Sequence, residues 1–246
     1  MNLFKSIIKK TVGMTGYNLI PKWKTVDENT FHSDCQKFLP THSQLTILDI
    51  GASIGDFSLG VAQQYPQATI FAFEPQHQVF AELVAKTKHL SAIRPVNLAL
   101  GDKTGKTNMY VTQNHASSSL LKSNECYYTE QTVVGQEMVD TMTLVEWASK
   151  EEIQVIDLLK LDTQGYELTV LRHAGDYLKK TTLIYSEVHF HTQYEGSTNF
   201  FELSLFLSEN GFKFFNLYNI RRINQQAIFS DALYINESMV NRKEEL

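Results

Sequence analysis

From about Thr46 onward, short apolar runs alternate with segments of helical period, and this alternation limits the fold more than any other feature. Thr46-Ile-Leu-Asp-Ile50, Thr69-Ile-Phe-Ala-Phe73, Pro95-Val-Asn-Leu-Ala99, Val155-Ile-Asp-Leu-Leu-Lys-Leu161 and Thr182-Leu-Ile-Tyr185 read as buried strands. Between them, Phe57, Val61 and Tyr65 share a helical face, as do Val79 and Leu83 with Phe80 and Val84 beside them. A further helix is predicted over 199–209, with Phe200, Leu203 and Leu207 inward and Asn210-Gly211 as its stop. Strand–helix alternation of this kind predicts a doubly wound α/β sheet with parallel strands and right-handed crossovers. The last third departs from it: Phe212–Tyr218 and Ala227–Ile235 are strand-like with no helix between them, so an antiparallel pair is expected there.

Residues 101–138 interrupt the pattern with a Gly101-to-Gly105 turn, a strand-like Asn108-Met-Tyr-Val111 and a polar stretch holding Ser117, Ser118 and Ser119. Such a segment reads as a lid, a binding loop or local disorder. Regular structure is expected to resume at Thr143, where Thr143-Leu-Val-Glu146 has capping-box spacing. We read a basic amphipathic extension over 1–40 and one domain over 41–246. Twelve Gly and five Pro among 246 residues, with 43% hydrophobic content, exclude a collagen-like or disordered chain. No apolar run approaches the roughly 18–20 residues of a membrane-spanning helix, and the N-terminus lacks a secretory pattern, so a soluble, cytoplasmic protein is expected. Cys35 and Cys126 are isolated and read as free thiols, and Asn236-Glu-Ser238 as a chance glycosylation match.

Charge is unevenly spread. The net charge is −5, yet residues 1–24 carry five lysines and no acid, which leaves the rest of the chain at −10. A body this acidic repels phosphates, so no nucleic-acid partner is expected. In the extension, Leu3, Phe4, Ile7 and Ile8 line an apolar side, which suits peripheral contact with an anionic membrane. The alternative is packing over the acidic domain as a lid or as a homodimer contact.

The most informative segment is Ile47-Leu-Asp-Ile-Gly-Ala-Ser-Ile-Gly-Asp-Phe57: a strand, a small-residue turn and a helix. In an open α/β sheet, ligands bind at the carboxyl ends of strands. Gly51 and Gly55 permit close approach to the backbone, and Asp49 stands where a carboxylate would hold a cationic amino group. Glu74 ends the next strand, 23 residues after Gly51, at the spacing of an acid that bonds ribose hydroxyls. A dinucleotide turn favours G-x-G-x-x-G, but here Ser53 replaces the middle glycine and Asp56 opens the helix with a negative charge, which disfavours pyrophosphate. An adenosyl cofactor with an amino-acid tail and a sulfonium, S-adenosylmethionine, fits better.

Over residues 45–235 the chain resembles the FkbM-type S-adenosylmethionine-dependent methyltransferases. The matching pieces are Leu48–Phe57, Phe73-Glu-Pro75, Asn97-Leu-Ala-Leu-Gly-Asp102, the serine cluster followed by Leu120-Leu121, and Asp157–Glu167. Glu187-Val with Phe190, Tyr194-Glu-Gly196 and Ser230-Asp-Ala-Leu-Tyr234 complete the set. The resemblance implies a Rossmann-like, seven-stranded methyltransferase sheet, mostly parallel, with an antiparallel C-terminal pair. It implies that Asp49 and Gly51 contact the methionine part, Glu74 the ribose, and the segment from Asn97 to Asp102 the region of the adenine. Ser53, Gly55, Ser118 and Asp162 join them as cofactor-binding candidates. The family usually has an acid where Gln164 stands, so that acid's role in charge balance or metal binding is in question here.

Methyl transfer is a displacement at an activated sulfonium, so alignment is the main requirement. A hydroxyl acceptor also needs a base. Asp162 ends the fourth strand, and Glu187, His189 and His191 project to one side of the fifth. His189 is the first candidate for the base, with Asp162 and Glu187 as the other catalytic candidates. A second reading joins Asp162, Glu187 and His189 in a magnesium or manganese site. Lys160 and Asp157 read as pairing residues rather than catalytic ones. Trp147, Tyr194 and Tyr218 would stack on a sugar unless they are core. The expected function is methylation of a hydroxyl on a small molecule or glycan precursor. N-methylation, a catalytically impaired cofactor-binding protein and a nicotinamide oxidoreductase are the alternatives.

Overall fold

The computed structural model describes residues 30–124 and 132–244. The apolar side of residues 1–24 and Cys126 therefore lie outside the described residues. The chain divides into two compact units, residues 1–38 and 39–246. In the first, a short helix α1 (Phe31–Cys35) is capped by Thr30, whose hydroxyl accepts from Ser33 N at 3.2 Å.

The second unit is built on a seven-stranded sheet. Its strands are β1 (Thr46–Ile50), β2 (Thr69–Phe73), β3 (Ile93–Val96), β7 (Ile156–Leu161), β8 (Thr181–His189), β9 (Phe212–Ile223) and β10 (Gln226–Asn236), in the order β3-β2-β1-β7-β8-β10-β9. β10 runs antiparallel to both of its neighbours and the other pairs are parallel. This is the expected doubly wound sheet with its antiparallel C-terminal pair. All six residues of β7 are buried, as a strand covered on both faces requires. Strand order reverses between β1 and β7, so their carboxyl ends form the switch point where such sheets bind ligands.

Helices α2 (Asp56–Gln64), α3 (His77–Thr87), α4 (Leu144–Lys150), α5 (Glu167–Arg172), α6 (Phe200–Glu209) and α7 (Glu237–Glu244) complete the unit. Val61 and Tyr65, Val79 and Leu83, and Leu203 and Leu207 are the inward positions, while Val84 is exposed. α6 starts at a full capping box, with Asn199 accepting from the main chain of Glu202 and Glu202 accepting from Asn199 N. At α4 the box is only half made: Thr143 accepts from Glu146 N, but the Glu146 carboxylate turns to the Thr104 hydroxyl. Trp147 packs edge-on to Phe71 and Phe73 at 4.9 and 4.7 Å, so it is core.

Three sequence expectations need correction. The strand expected over 95–99 is split into β3 and β4 (Ala99–Leu100) by Asn97 and Leu98. Regular structure resumes before Thr143: β6 (Val133–Met142) pairs antiparallel with β5 (Gly105–Thr112) and parallel with β4, in a second, three-stranded sheet. β6 is hard to read because Val134 and Met138 are exposed while Val139 and Thr141 face inward. The C-terminal strands are also longer than expected. They meet at Asn224 and Gln225, both in the left-handed region at φ +46° and +69°, a hairpin turn without its usual glycine. Among the described residues, no helix is long and apolar enough to cross a membrane.

Candidate functional site

The glycine turn after β1 is forced tight by its neighbours. Gly51 has φ +76°, and a Cβ there would lie 1.9 Å from the Asp162 carbonyl oxygen, so the ends of β1 and β7 touch through their backbones. Asp162 N donates to Ile50 O at 3.0 Å, while Gly51 N and Ala52 N both donate to Phe73 O. Gly55, at φ +91°, has no room for a Cβ beside Leu83 Cδ1, 2.7 Å away. It serves the packing of α2 against α3 and does not border the cavity.

Above the turn lies an open cavity, with about 650 Å³ of empty space when the solvent at its mouth is included. Its polar lining includes Gly51, Ser53, Glu74, His115, Ser118, Ser119, Asp162, Thr163, Gln164 and Tyr166, and its apolar wall includes Leu98, Ala99, Leu100, Met109 and Leu120. The serine segment thus lines the cavity, with a 3-10 turn at His115–Ser117. Of the sequence-predicted cofactor residues, Gly51, Ser53, Glu74, Ser118 and Asp162 come together here.

Glu74 is 6% exposed and accepts from Ser53 N at 3.0 Å and from Gln76 N at 2.9 Å. Burial raises its carboxyl to about 7 despite those two donors. Asn97 does not border the cavity. Its amide donates to the carbonyls of Glu74 and Pro75 at 2.8 and 2.9 Å, which braces the Glu74 corner. Asp102 also stands back, accepting from the Tyr166 hydroxyl at 3.2 Å. Burial, and then this carboxylate, push the Tyr166 phenol up to about 12.

Asp49 departs furthest from expectation. It is fully buried beneath the turn, where its carboxylate meets the Lys160 ammonium at 3.0 Å and accepts from Ser58 Oγ at 2.6 Å. The cationic amino group it holds is the chain's own. Lys160 also donates to Gly51 O at 2.8 Å. Burial alone would lower its pKa, but Asp49 and Asp162 outweigh that and raise it. Lys160 is a pairing residue, as its sequence position implied; Asp157 likewise accepts from Thr46 N at 2.8 Å.

His189, the expected base, stands back from the cavity. His189 is 1% exposed, bonds Glu187 Oε2 through Nε2 at 2.9 Å and does not border the cavity. Glu187 and His189 do share a side of β8, while His191 lies past the strand end against Gln226. Gln164 stands over Glu187: its Nε2 donates to Asp162 Oδ1 and Glu187 Oε2, each at 2.8 Å. Burial raises Glu187 to about 7. Burial would lower His189, but the Glu187 carboxylate more than offsets this and raises it. Asp162, with 38% of its side chain exposed, is the catalytic candidate that borders the cavity. Tyr194 is buried among polar partners rather than offered as a platform. Among the described residues, no three His, Cys, Asp or Glu side chains converge as a metal-ligand set.

The model of the methyltransferase FkbM domain family matches residues 49–214, which span the turn, the cavity and the Asp162 loop. The chain belongs to this family. Among curated relatives, 2-O-methyltransferase NoeI of Sinorhizobium fredii is 28% identical over 159 residues, covering 61% of this chain and 65% of that protein. Methyltransferase sdnD of Sordaria araneosa is 29% identical over 168 residues, covering 58% and 65%. Hexuronic acid methyltransferase AglP of Haloferax volcanii is 24% identical over 142 residues, covering 57% and 54%. The chain thus spans less than two thirds of the length of these relatives.

Sequence reasoning missed His115, Thr163 and Tyr166. His115 reaches Ser53 Oγ at 3.4 Å from a stretch without periodicity, where only its neighbouring serines gave a signal. Thr163 and Tyr166 flank Gln164-Gly165 inside the family motif and could have been found there.

Two outcomes follow from the buried charges. Lys160→Met leaves Asp49 buried without a cation and should lower stability by about 3–5 kcal/mol in urea unfolding. Glu74 holds its proton more tightly folded, at about 7, than at its ordinary 4.5. Its favourable contribution is full below the unfolded value and is lost as pH rises through the folded one. Relative to the wild-type chain, Glu74→Gln should therefore gain stability as pH rises through this window, by at most about 1.4 kcal/mol per pH unit. A pH-independent difference in Tm would contradict this.

Proposed function

We propose that this chain transfers a methyl group from S-adenosylmethionine to a hydroxyl of a sugar or glycan precursor. The observation that carries the reading is the buried Glu74 carboxylate at the end of β2, set in one cavity with the open Gly51 turn and the Leu98–Leu100 wall. These residues fit the cofactor. Gly51 and Ser53 offer backbone to its amino-acid end, Glu74 has carboxylate oxygens for a ribose diol, and the apolar wall suits a purine. Bound there, the cofactor supplies a methyl group already activated by its sulfonium.

The chain's own work is alignment and proton removal. With the cofactor bound, its sulfonium would leave as a thioether when the methyl group is transferred, and Asp162 Oδ2 would take the proton of the acceptor hydroxyl. Lys160 Nζ lies 3.6 Å from that oxygen and stabilises the ionised carboxylate that must take the proton. Asp162 replaces His189 as our candidate base because it borders the cavity and His189 does not. The sugar class is supported by the names of NoeI, a 2-O-methyltransferase, and AglP, a hexuronic acid methyltransferase. Cys35 is a free cysteine, which accords with a reducing, cytoplasmic setting.

Calorimetric titration of the full chain with S-adenosylhomocysteine and with NAD tests the cofactor, and binding of the first alone is expected. Methyl transfer from labelled S-adenosylmethionine to methyl glycosides of neutral hexoses, 6-deoxyhexoses and glucuronic acid tests the reaction. Asp162→Asn should retain S-adenosylhomocysteine binding within about threefold and lose about 10²–10⁴-fold in kcat. Binding without transfer to any glycoside would favour the catalytically impaired reading instead.

A further inference from the structure

We propose that Gln164 is a positioning residue that does the work of a bridging cation between Asp162 and Glu187, so that the site operates without a divalent metal. For its reaction this rests on the function proposed above; its charge logic rests on geometry alone. One amide nitrogen lies 2.8 Å from Asp162 Oδ1 and 2.8 Å from Glu187 Oε2, so each of its two hydrogens is given to a different carboxylate. Two carboxylates brought this close need a proton, a cation or a shared donor between them. Here the donor is neutral and covalently placed.

The amide cannot turn over without loss. Its Oε1 accepts from the Tyr194 hydroxyl at 2.5 Å, and a flip would aim that oxygen at both carboxylates. The Gln164 main chain is held as firmly: its carbonyl accepts from Ser119 Oγ at 2.7 Å, and its φ of +55° is a conformation most side chains avoid. The neighbouring loop is fixed by Glu167, whose carboxylate accepts from Thr163 N and Gly165 N. The cations facing the cluster are already engaged: Lys160 chiefly with Asp49 and Gly51 O, and His189 with Glu187 Oε2, the oxygen it shares with the Gln164 amide. The space between Asp162 and Glu187 is therefore filled by an N–H donor where a metal-dependent site would present oxygen ligands. A carboxylate in the same place would gather three acids and require a cation such as Mg²⁺ or Mn²⁺.

The test uses the full-length chain and titrates MnCl₂ calorimetrically into wild type, Gln164→Glu and Gln164→Ala. Gln164→Glu should bind Mn²⁺ at least about tenfold more tightly than wild type. Wild-type methyl transfer, on whichever glycoside it accepts, should be unchanged by EDTA. Gln164→Glu should lose about 100-fold in kcat in EDTA and recover at least about tenfold with Mn²⁺. Gln164→Ala should lower kcat about 10–100-fold while S-adenosylhomocysteine affinity stays within about threefold, a split that a general loss of fold would not produce. The proposal is overturned if wild type binds Mn²⁺ as tightly as Gln164→Glu, if EDTA abolishes wild-type transfer, or if Gln164→Ala keeps kcat within about twofold. A wild-type chain that neither binds S-adenosylhomocysteine nor methylates a glycoside would overturn the functional reading instead. The Mn²⁺ titrations would still decide the charge logic.

Discussion

Lys160 stands near the end of β7 with its ammonium 3.0 Å from Asp49, 2.8 Å from Gly51 O and 3.6 Å from Asp162, and the closure of the switch point depends on these contacts. The pair is taken out of water almost completely, which is expensive for both ions unless the remaining lone pairs find donors. Ser58 Oγ, from the first turn of α2, donates to Asp49 Oδ2, while Oδ1 is met by the Lys160 ammonium alone. One cation thus ties β1, the glycine turn, the start of α2 and the end of β7 into a single rigid corner. Gly51 follows from the same closeness, since no side chain fits where the Asp162 carbonyl lies.

Around that corner the site divides by element. The turn, the Glu74 corner, β4 and the serine segment build a cavity with one buried carboxylate and an apolar wall. β7, β8 and the loop before α5 carry the acids Asp162 and Glu187 with His189 behind them. Gln164 joins the halves, reaching the acids with its amide nitrogen and Ser119 and Tyr194 with its oxygens. A body with excess negative charge can keep such a cluster buried because each acid has a named donor. Glu74 has two main-chain N–H groups, Glu187 an imidazole and an amide, and Asp49 an ammonium and a hydroxyl.

The parts of this arrangement that were legible in the sequence are those set by local pattern. β1, β2 and β7 were readable because strands buried on both faces leave continuous apolar runs. Glu74 was readable because the βαβ unit fixes its distance from the turn. The rest depends on partners far apart in sequence. The Asp49 partner lies 111 residues away, and nothing local distinguishes a carboxylate awaiting a ligand from one already paired with a lysine. Gly55 reads as a cofactor glycine and serves α3 instead, because a glycine needed for a neighbouring helix has the same signature as one needed for a ligand. β6 has its apolar residues divided between the small sheet's two faces, so its period is blurred.

His189 shows the same limit from the other direction. Alternation along β8 correctly put it beside Glu187, yet the direction of a side chain does not say what stands in front of it. Gln164, from the loop before α5, and Tyr194, from the loop after β8, are bonded to each other at 2.5 Å beside this strand end, and Gln164 borders the cavity. Burial then converts a histidine suited to proton transfer into a partner that holds Glu187, since a base needs access to the proton it removes before its pKa matters. Asp162, whose backbone closes the glycine turn, is the carboxylate that still borders the cavity. The geometry that makes the switch point tight thus also brings a carboxylate to the cavity.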